Sequence, residues 1–369
     1  MRPVSLLGGL GTASVAAAAL AYRGVDWSSV AVEEAAGVNY KSATTNQAAP
    51  LESILAASGV NMVRQRLWVN PKPDNGAYNL AYNLKLARRA RAAGLGVYLD
   101  LHYSDTWADP GHQTIPAGWP KTLEGLTTQI FNYTRDVCDA FAADAVPGAA
   151  ATSSLPPLSI ISIGNEITNG LLWPVGSTKS YSNIAALLHA ASAGVKASKL
   201  ATVRDAPPPK IMVHLDNGWS WSAQHSFYTK VLASGSPLVA SDLDIMGVSY
   251  YPFYNAAATL ASLKTSLQNM AAAWGKELVV AETDWPTSCP RPKYSFPVDA
   301  KSIPYTAAGQ TAWVQAVANV VAGVAGGRGL FYWEPTWVHN ANLGSSCADN
   351  LMVSQTGQAL SSLAVFSTI

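Results

Sequence analysis

Eight short apolar runs rich in β-branched and aromatic residues recur along the chain, separated by Ala- and Leu-rich segments of helical composition. The runs are Tyr22–Ser28, Asn61–Val69, Leu95–Ser104, Leu158–Glu166, Lys210–Gly218, Leu243–Pro252, Glu277–Trp285 and Gly329–Pro335. Helical candidates between them include Leu80–Ala93, Thr122–Ala143, Ile184–Leu200, Ala258–Trp274 and Ala307–Val324. Regular alternation of this kind builds βα units around a parallel sheet. No linker or composition break divides the series. Eight units in roughly 340 residues fit one (β/α)8 TIM barrel with elongated top-face loops, an α/β fold. A doubly wound sheet usually has fewer strands and a Gly-rich turn after the first, whereas the first run here ends in Asp26-Trp27-Ser28.

The segment before the first run carries Arg2 as its only charge, then an apolar stretch, then small residues with A-x-A character. It reads as a secretory signal peptide over residues 1–18, with cleavage possible up to 21, leaving residues 19–369 as the catalytic domain and a secreted, extracellular product. A membrane anchor would need a longer apolar stretch. Secretion permits a disulfide, and three cysteines leave one thiol over. Cys289 and Cys347 are the expected pair, with Cys138 on the apolar face of the Thr122–Ala143 helix. Asn132-Tyr133-Thr134 in that segment is a glycosylation sequon.

Lys and Arg total 24 against 23 for Asp and Glu, without a basic stripe or an acidic block. The chain therefore lacks the footprint of a nucleic-acid or anionic-membrane binder, and a neutral partner fits better. Polar residues gather instead at the carboxyl ends of the eight runs. They are Asp26, Arg64 with Arg66, Asp100 with His102, Asn165 with Glu166, His214 with Asp216, Tyr250 with Tyr251, Glu282 with Asp284, and Trp333 with Glu334. Buried charges need partners or water, so this set predicts a polar cleft on the top face above apolar layers. For any single member a salt bridge would suffice; Asp100 and Asp216 read as partners of His102 and His214.

Ten tryptophans fall at strand ends or in the loops that follow: Trp27, Trp68, Trp107, Trp119, Trp173, Trp219, Trp221, Trp285, Trp333 and Trp337; only Trp274 and Trp313 fall on helices. Indole faces suit the apolar faces of sugar rings, and equally a protein interface. Glycoside hydrolysis requires two carboxyl groups, one protonated and one ionised. Glu166 and Glu282, ending the fourth and seventh runs, are the best pair; Glu334 is the rival. No H-E-x-x-H, no G-x-S-x-G elbow and no nucleotide loop is present, which predicts no metal and no cofactor.

Longer stretches carry a resemblance. "YRGVDWSS", "VRQRLWVNP", "HYSDTWADPGHQTIPAGWP", "SIGNEITNGLLWP", "HLDNGWSW", "SYYPFY", "ETDWPTSCP" and "FYWEPTWVHNANLGSSCADN" resemble, in order, the fungal endo-β-1,4-galactanases of glycoside hydrolase family 53. The resemblance implies a retaining endo-glycosidase acting on β-1,4-galactan in type I arabinogalactan, with Glu166 as acid/base and Glu282 as nucleophile. It places Arg64, His102, Asn165, Tyr251 and Trp333 around the sugar. His214 joins them as a substrate contact. Strand parity groups Tyr251 with Ser249 and selects it over Tyr250. In this branch a disulfide replaces the calcium of bacterial relatives, in keeping with Cys289 and Cys347. The partner is a neutral polysaccharide and the expected state is a monomer. Barrel and carboxylates alone would also allow an endo-glycosidase on mannan or β-glucan, or a non-catalytic carbohydrate-binding barrel.

Overall fold

The computed structural model describes residues 19–72, 77–144, 155–202 and 206–369. The leader expected at residues 1–18 lies outside the described residues. Each apolar run carries one barrel strand, the eighth beginning two residues before its run: β1 Tyr22–Asp26, β2 Met62–Leu67, β3 Gly96–Leu101, β4 Ile160–Ile163, β5 Lys210–Leu215, β6 Ile245–Ser249, β7 Glu277–Glu282 and β8 Gly327–Tyr332. Every neighbour pair is parallel, and β8 closes on β1. The strands are shorter than the runs because the carboxyl-terminal residues leave the ladder. Thus β4 stops at Ile163, and Asn165 and Glu166 stand above the sheet.

Helices α1 Val30–Ala35 and α2 Leu51–Ala57 follow β1; α3 Leu80–Ala92, α4 Leu123–Asp144, α5 Tyr181–Lys196, α6 Trp221–Val231, α7 Leu260–Trp274 and α8 Ala307–Ala322 follow β2 to β7 in turn. Asn79, Ser180, Ser220, Thr259 and Thr306 cap five of them, each side chain accepting a backbone N–H of the first turn. A cap of this kind is worth about 1 kcal/mol. After β8 the unit ends in a 3₁₀ segment, Ser361–Ser367, which buries Val365 and Phe366. Trp221 begins α6, and its ring packs 5.7 Å from Trp274; it belongs to a helix, contrary to the loop placement expected from sequence.

Most of the core lies between sheet and helices. A second cluster plugs the barrel interior, with Met62, Tyr98, Ile160, Met212, Ile245, Val279 and Phe331 supplied by seven different strands. The remaining strand, β1, contributes Gly24 at this level, where a Cβ would lie 2.2 Å from the Phe331 ring. At Gly247 a Cβ would meet the Met212 sulfur at 2.4 Å. These glycines leave room for the large side chains opposite.

Because strand side chains alternate, the residues two positions above the plug also point inward. On β1, β2, β3 and β5 these are Asp26, Arg64, Asp100 and His214, all buried. A polar layer therefore sits directly on the apolar plug. Strand β7 departs from the alternation: Val248 pairs with Val280 but Ser249 pairs with Glu282, so Ala281 is an extra residue on the β7 side. This bulge lets Ala281 join the plug while Glu282 faces the cleft.

Candidate active site

A cleft of about 500 Å³ opens at the carboxyl ends of the strands. Arg64, His102, Asn165, Glu166, Tyr251, Glu282 and Trp333, all singled out from sequence, line it. Arg64 organises the floor. Its Nη1 donates to Asp26 Oδ2 at 2.7 Å, and its Nη2 reaches Asp100 Oδ2 at 2.8 Å, Asn165 Oδ1 at 2.8 Å and Glu282 Oε1 at 2.7 Å. Taking a guanidinium wholly out of water is offset only by such partners. Here the carboxylates outweigh burial and keep Arg64 firmly charged.

Glu166 and Glu282 respond differently to shared burial. Burial raises the Glu166 carboxyl well above its ordinary range, and the charges of Glu282 and Asp216 push it further. Burial also raises Glu282, but Arg64 and a 2.8 Å hydrogen bond from the Tyr251 hydroxyl oppose it. Glu282 stays raised on balance, but it has a cation and a hydroxyl donor that favour its ionised form, whereas the charges acting most strongly on Glu166 are negative. Tyr251 is fit to donate, since burial and the Glu282 charge hold its phenol neutral.

Backbone geometry aims these groups. Tyr103, Glu166, Asn217 and Glu334 follow strands β3, β4, β5 and β8 with φ of 48°, 48°, 49° and 43°. Non-glycine residues in the left-handed region are uncommon and concentrate at functional sites. At Glu166 the turn follows Gly164 at φ 115° and carries the side chain out of the strand and over the cleft.

Asn165 is fixed on every side: its Nδ2 donates to Ala108 O at 2.7 Å, and its Oδ1 accepts from Arg64 and from His214 Nδ1 at 2.9 Å. Its backbone carbonyl accepts from Gln113 Nε2 at 2.9 Å. His102 Nδ1 accepts from Trp68 Nε1 at 3.2 Å and from Ala108 N at 3.0 Å, leaving Nε2 to face Asp100 Oδ2 at 3.2 Å. Burial lowers its imidazole, so the ring stays neutral.

His214 stands elsewhere than the sequence suggested. It is fully buried behind the lining, with Nδ1 on Asn165 and Nε2 2.9 Å from Ser249 Oγ, so neither nitrogen faces the cleft. Burial and the Arg64 charge lower its imidazole to about 3. Ser249, a hydrogen-bond partner of the Glu166 carboxyl, takes the place in the cleft lining instead. Asp216 does not pair with His214; it lines the cleft beside Glu166 and accepts from Asn217 Nδ2 at 2.5 Å. Asp100 does pair with His102, as expected.

Glu334 is fully buried below the lining. It accepts from Arg66 Nη1, from Ser29 Oγ at 2.7 Å and from Ser29 N at 3.0 Å. Burial is the largest influence on it and outweighs Arg66 and Ser29, pushing the carboxyl up to about 7. The donors converging on its oxygen nevertheless match the ionised form. Of the tryptophans, Trp107, Trp219, Trp333 and Trp337 line the cleft, whereas Trp27 and Trp285 are core residues without exposed surface. The expected segregation to the top face thus mixes cleft and core positions. Gln113 and Ser249 were not singled out from sequence; Gln113 lies inside the stretch that begins at His102, and Ser249 shares strand parity with Tyr251.

Cys289 and Cys347 form a disulfide between the loop after β7 and the loop after β8. Beside it Thr287 N donates to Asp349 O at 2.8 Å, so the two loops form one rim. Cys138 is buried on α4, where burial pushes its thiol up to about 12. Asn132 lies half-buried on the same helix, and the Thr134 hydroxyl of its sequon is 2.7 Å from the Tyr103 hydroxyl in the interior.

Comparison with known proteins agrees in sequence and in structure. The profile of Glycosyl hydrolase family 53 matches residues 22–366. The arabinogalactan endo-β-1,4-galactanase of Humicola insolens is 60% identical over 351 residues, 95% of this chain and 100% of that protein. The enzyme of the same description from Thermothelomyces thermophilus is 59% identical with the same coverage. A solved structure described as one of two fungal β-1,4-galactanases superposes with a TM-score of 0.89 at 59% identity, covering 95% of this chain and 100% of that one. The Ignisphaera aggregans GH53 catalytic domain superposes at 0.76 with 26% identity, covering 99% of both chains. The chain belongs to glycosyl hydrolase family 53.

Proposed function

We propose that the protein is a secreted endo-β-1,4-galactanase that cleaves galactan in type I arabinogalactan by double displacement with retention. The observation that carries this reading is the full-length similarity to galactanases together with two cleft carboxyls, one of which, Glu282, is paired with Arg64. Glu282, held ionised by Arg64 and Tyr251, attacks the anomeric carbon; Glu166 protonates the departing oxygen. In the second half-reaction Glu166 takes a proton from water, which then displaces Glu282. Retention requires the two carboxyl groups to lie roughly 5–5.5 Å apart, against about 6.5–9.5 Å for inversion. Asn165, fixed by four hydrogen bonds, presents its amide to the sugar 2-hydroxyl, and Trp333 offers an apolar platform.

The substrate is taken as a neutral polysaccharide, bound by a monomer without metal or other cofactor. Among the described residues no helix is long and apolar enough to cross a membrane. Cleavage of the leader at residue 18 suits the fold, because Leu20 is buried and its carbonyl accepts from Arg23 Nη1 at 2.9 Å. Glycosylation at Asn132 draws less support, since a helix offers a poorer acceptor than a surface loop. Reducing-sugar release from β-1,4-galactan, mannan and cellulose in parallel tests the substrate, and proton NMR of the first anomer formed tests retention. Equal release from all three, or the α-anomer first, overturns the reading.

A further inference from the structure

We propose that the buried Arg66–Glu334 pair is the positioning element of a three-tryptophan wall, Trp107, Trp333 and Trp337, that grips the glycan chain, an inference that rests on the galactanase reading. The three indoles come from two separate loops. Trp107 follows β3, and Trp333 and Trp337 follow β8. Their rings nonetheless form one surface of the cleft: Trp107 and Trp337 stack at 6.1 Å and 28°, and Trp333 stands edge-on to both at 6.1 and 6.5 Å.

Arg66 packs against this wall at the cleft floor and is 1% exposed. Its guanidinium carbon is 4.5 Å from the centre of Trp107 and 5.0 Å from Trp337, with Tyr78 at 4.2 Å and Trp68 at 5.8 Å. A flat, weakly hydrated cation attracts ring faces and fixes their tilt, which a compact ammonium does poorly. One cation facing Trp107 and Trp337 ties the β3 loop to the β8 loop without a covalent link.

A cation in this position needs a counter-charge, and Glu334 supplies it from the residue next to Trp333. The same carboxylate accepts from the Ser29 hydroxyl and N–H, while Arg66 Nη2 donates to Ser29 Oγ at 2.9 Å. The pair therefore fixes the exit of β8 against β1 and β2, and with it the backbone that carries Trp333 and Trp337. Galactose suits such a wall because its axial 4-hydroxyl leaves the C–H groups of C3, C4 and C5 on one face. Glu334 itself stays behind the lining and touches no substrate.

The test is Arg66→Lys, which keeps the charge and removes the plane, alongside Glu334→Gln and Trp107→Ala. On β-1,4-galactan, Arg66→Lys is expected to lower kcat/KM roughly tenfold or more, chiefly through KM, and to lower it at least threefold less on an aryl β-galactoside. The exciton couplet of stacked Trp107 and Trp337 in far-ultraviolet circular dichroism should collapse in Arg66→Lys and weaken in Glu334→Gln. Trp107→Ala combined with Arg66→Lys should be no worse on galactan than Trp107→Ala alone. Equal losses on both substrates with an unchanged exciton couplet would overturn the inference, as would additive losses in the double variant. If Arg66→Lys does not fold, Glu334→Gln carries the same readouts. The dichroism needs no substrate, so a wild-type protein inactive on galactan would refute the galactanase reading and leave the positioning test standing.

Discussion

Arg64 and Arg66 stand two positions apart on one strand, face the same interior, are equally buried and share Asp26 as a neighbour, yet the rest of their surroundings differ. Arg64 is ringed by Asp26, Asp100 and Glu282 and by the Asn165 oxygen. Arg66 is bonded to one carboxylate, Glu334, has Asp26 farther off at 4.0 Å, and faces four aromatic rings. The first cation contacts Glu282, one carboxyl of the proposed reacting pair, and favours its charged form. The second faces Trp107 and Trp337, the wall proposed to hold the sugar chain. Residue type and burial are the same in both cases, so the role is decided by the chemistry of the neighbours.

The contrast can be broken by mutation, beginning at the reaction centre. Glu282→Gln should cost ~10⁴-fold or more in kcat on galactan and on aryl galactosides alike, because no glycosyl-enzyme forms. Glu166→Gln should lose on the order of 10²–10⁴-fold on galactan while sparing formation of the glycosyl-enzyme from an aryl galactoside with an acidic leaving group, read as a burst. Near-normal galactan hydrolysis by both, with Glu334→Gln inactive, would mean that the reacting pair has been misassigned.

Tyr251→Phe sharpens the comparison through pH. Removing a donor to the Glu282 carboxylate favours its neutral form, so its pKa rises further and the acid limb of kcat/KM moves to higher pH. At the optimum the loss should be about 10–100-fold. An unmoved acid limb would separate Tyr251 from the charge of Glu282.

On the wall side the effects should be milder and substrate-dependent. Trp333→Ala should lower kcat/KM on galactan by roughly 10–30-fold, with a smaller loss on an aryl galactoside. Equal and complete loss on both would make Trp333 structural. Smallest for catalysis should be Cys289→Ser with Cys347→Ser. Opening the 58-residue separation that the bridge spans costs about 4 kcal/mol in the chain-entropy picture, read as a fall in Tm with kcat changed little.

The barrel was legible in the sequence because each strand is a self-contained apolar run. The cleft was legible because charges at the ends of buried strands are costly unless an open, hydrated space receives them. Glu166, Glu282 and Arg64 were visible for that reason, whereas Tyr251 came from the family resemblance and strand parity. Helix α6 was less visible: Trp221, Gln224 and His225 do not look like a helical apolar face, although Phe227, Tyr228 and Val231 bury against the sheet. His214 and Asp216 showed the limit of parity, which says that both point inward and not which reaches the cleft. The split of the tryptophans between wall and core was hidden too. An indole at a strand end looks the same in sequence whether a loop or solvent covers it.

The bulge in β7 makes one strand answer to two masters. Below it, side chains satisfy the volume demanded by the plug; above it, they satisfy the direction demanded by the reaction. One additional residue uncouples the two, so the plug can be repacked by substitution without turning Glu282 away from the cleft. A transplant of Glu282 onto a regular strand of another barrel would bring the carboxylate and leave behind the half-step that aims it.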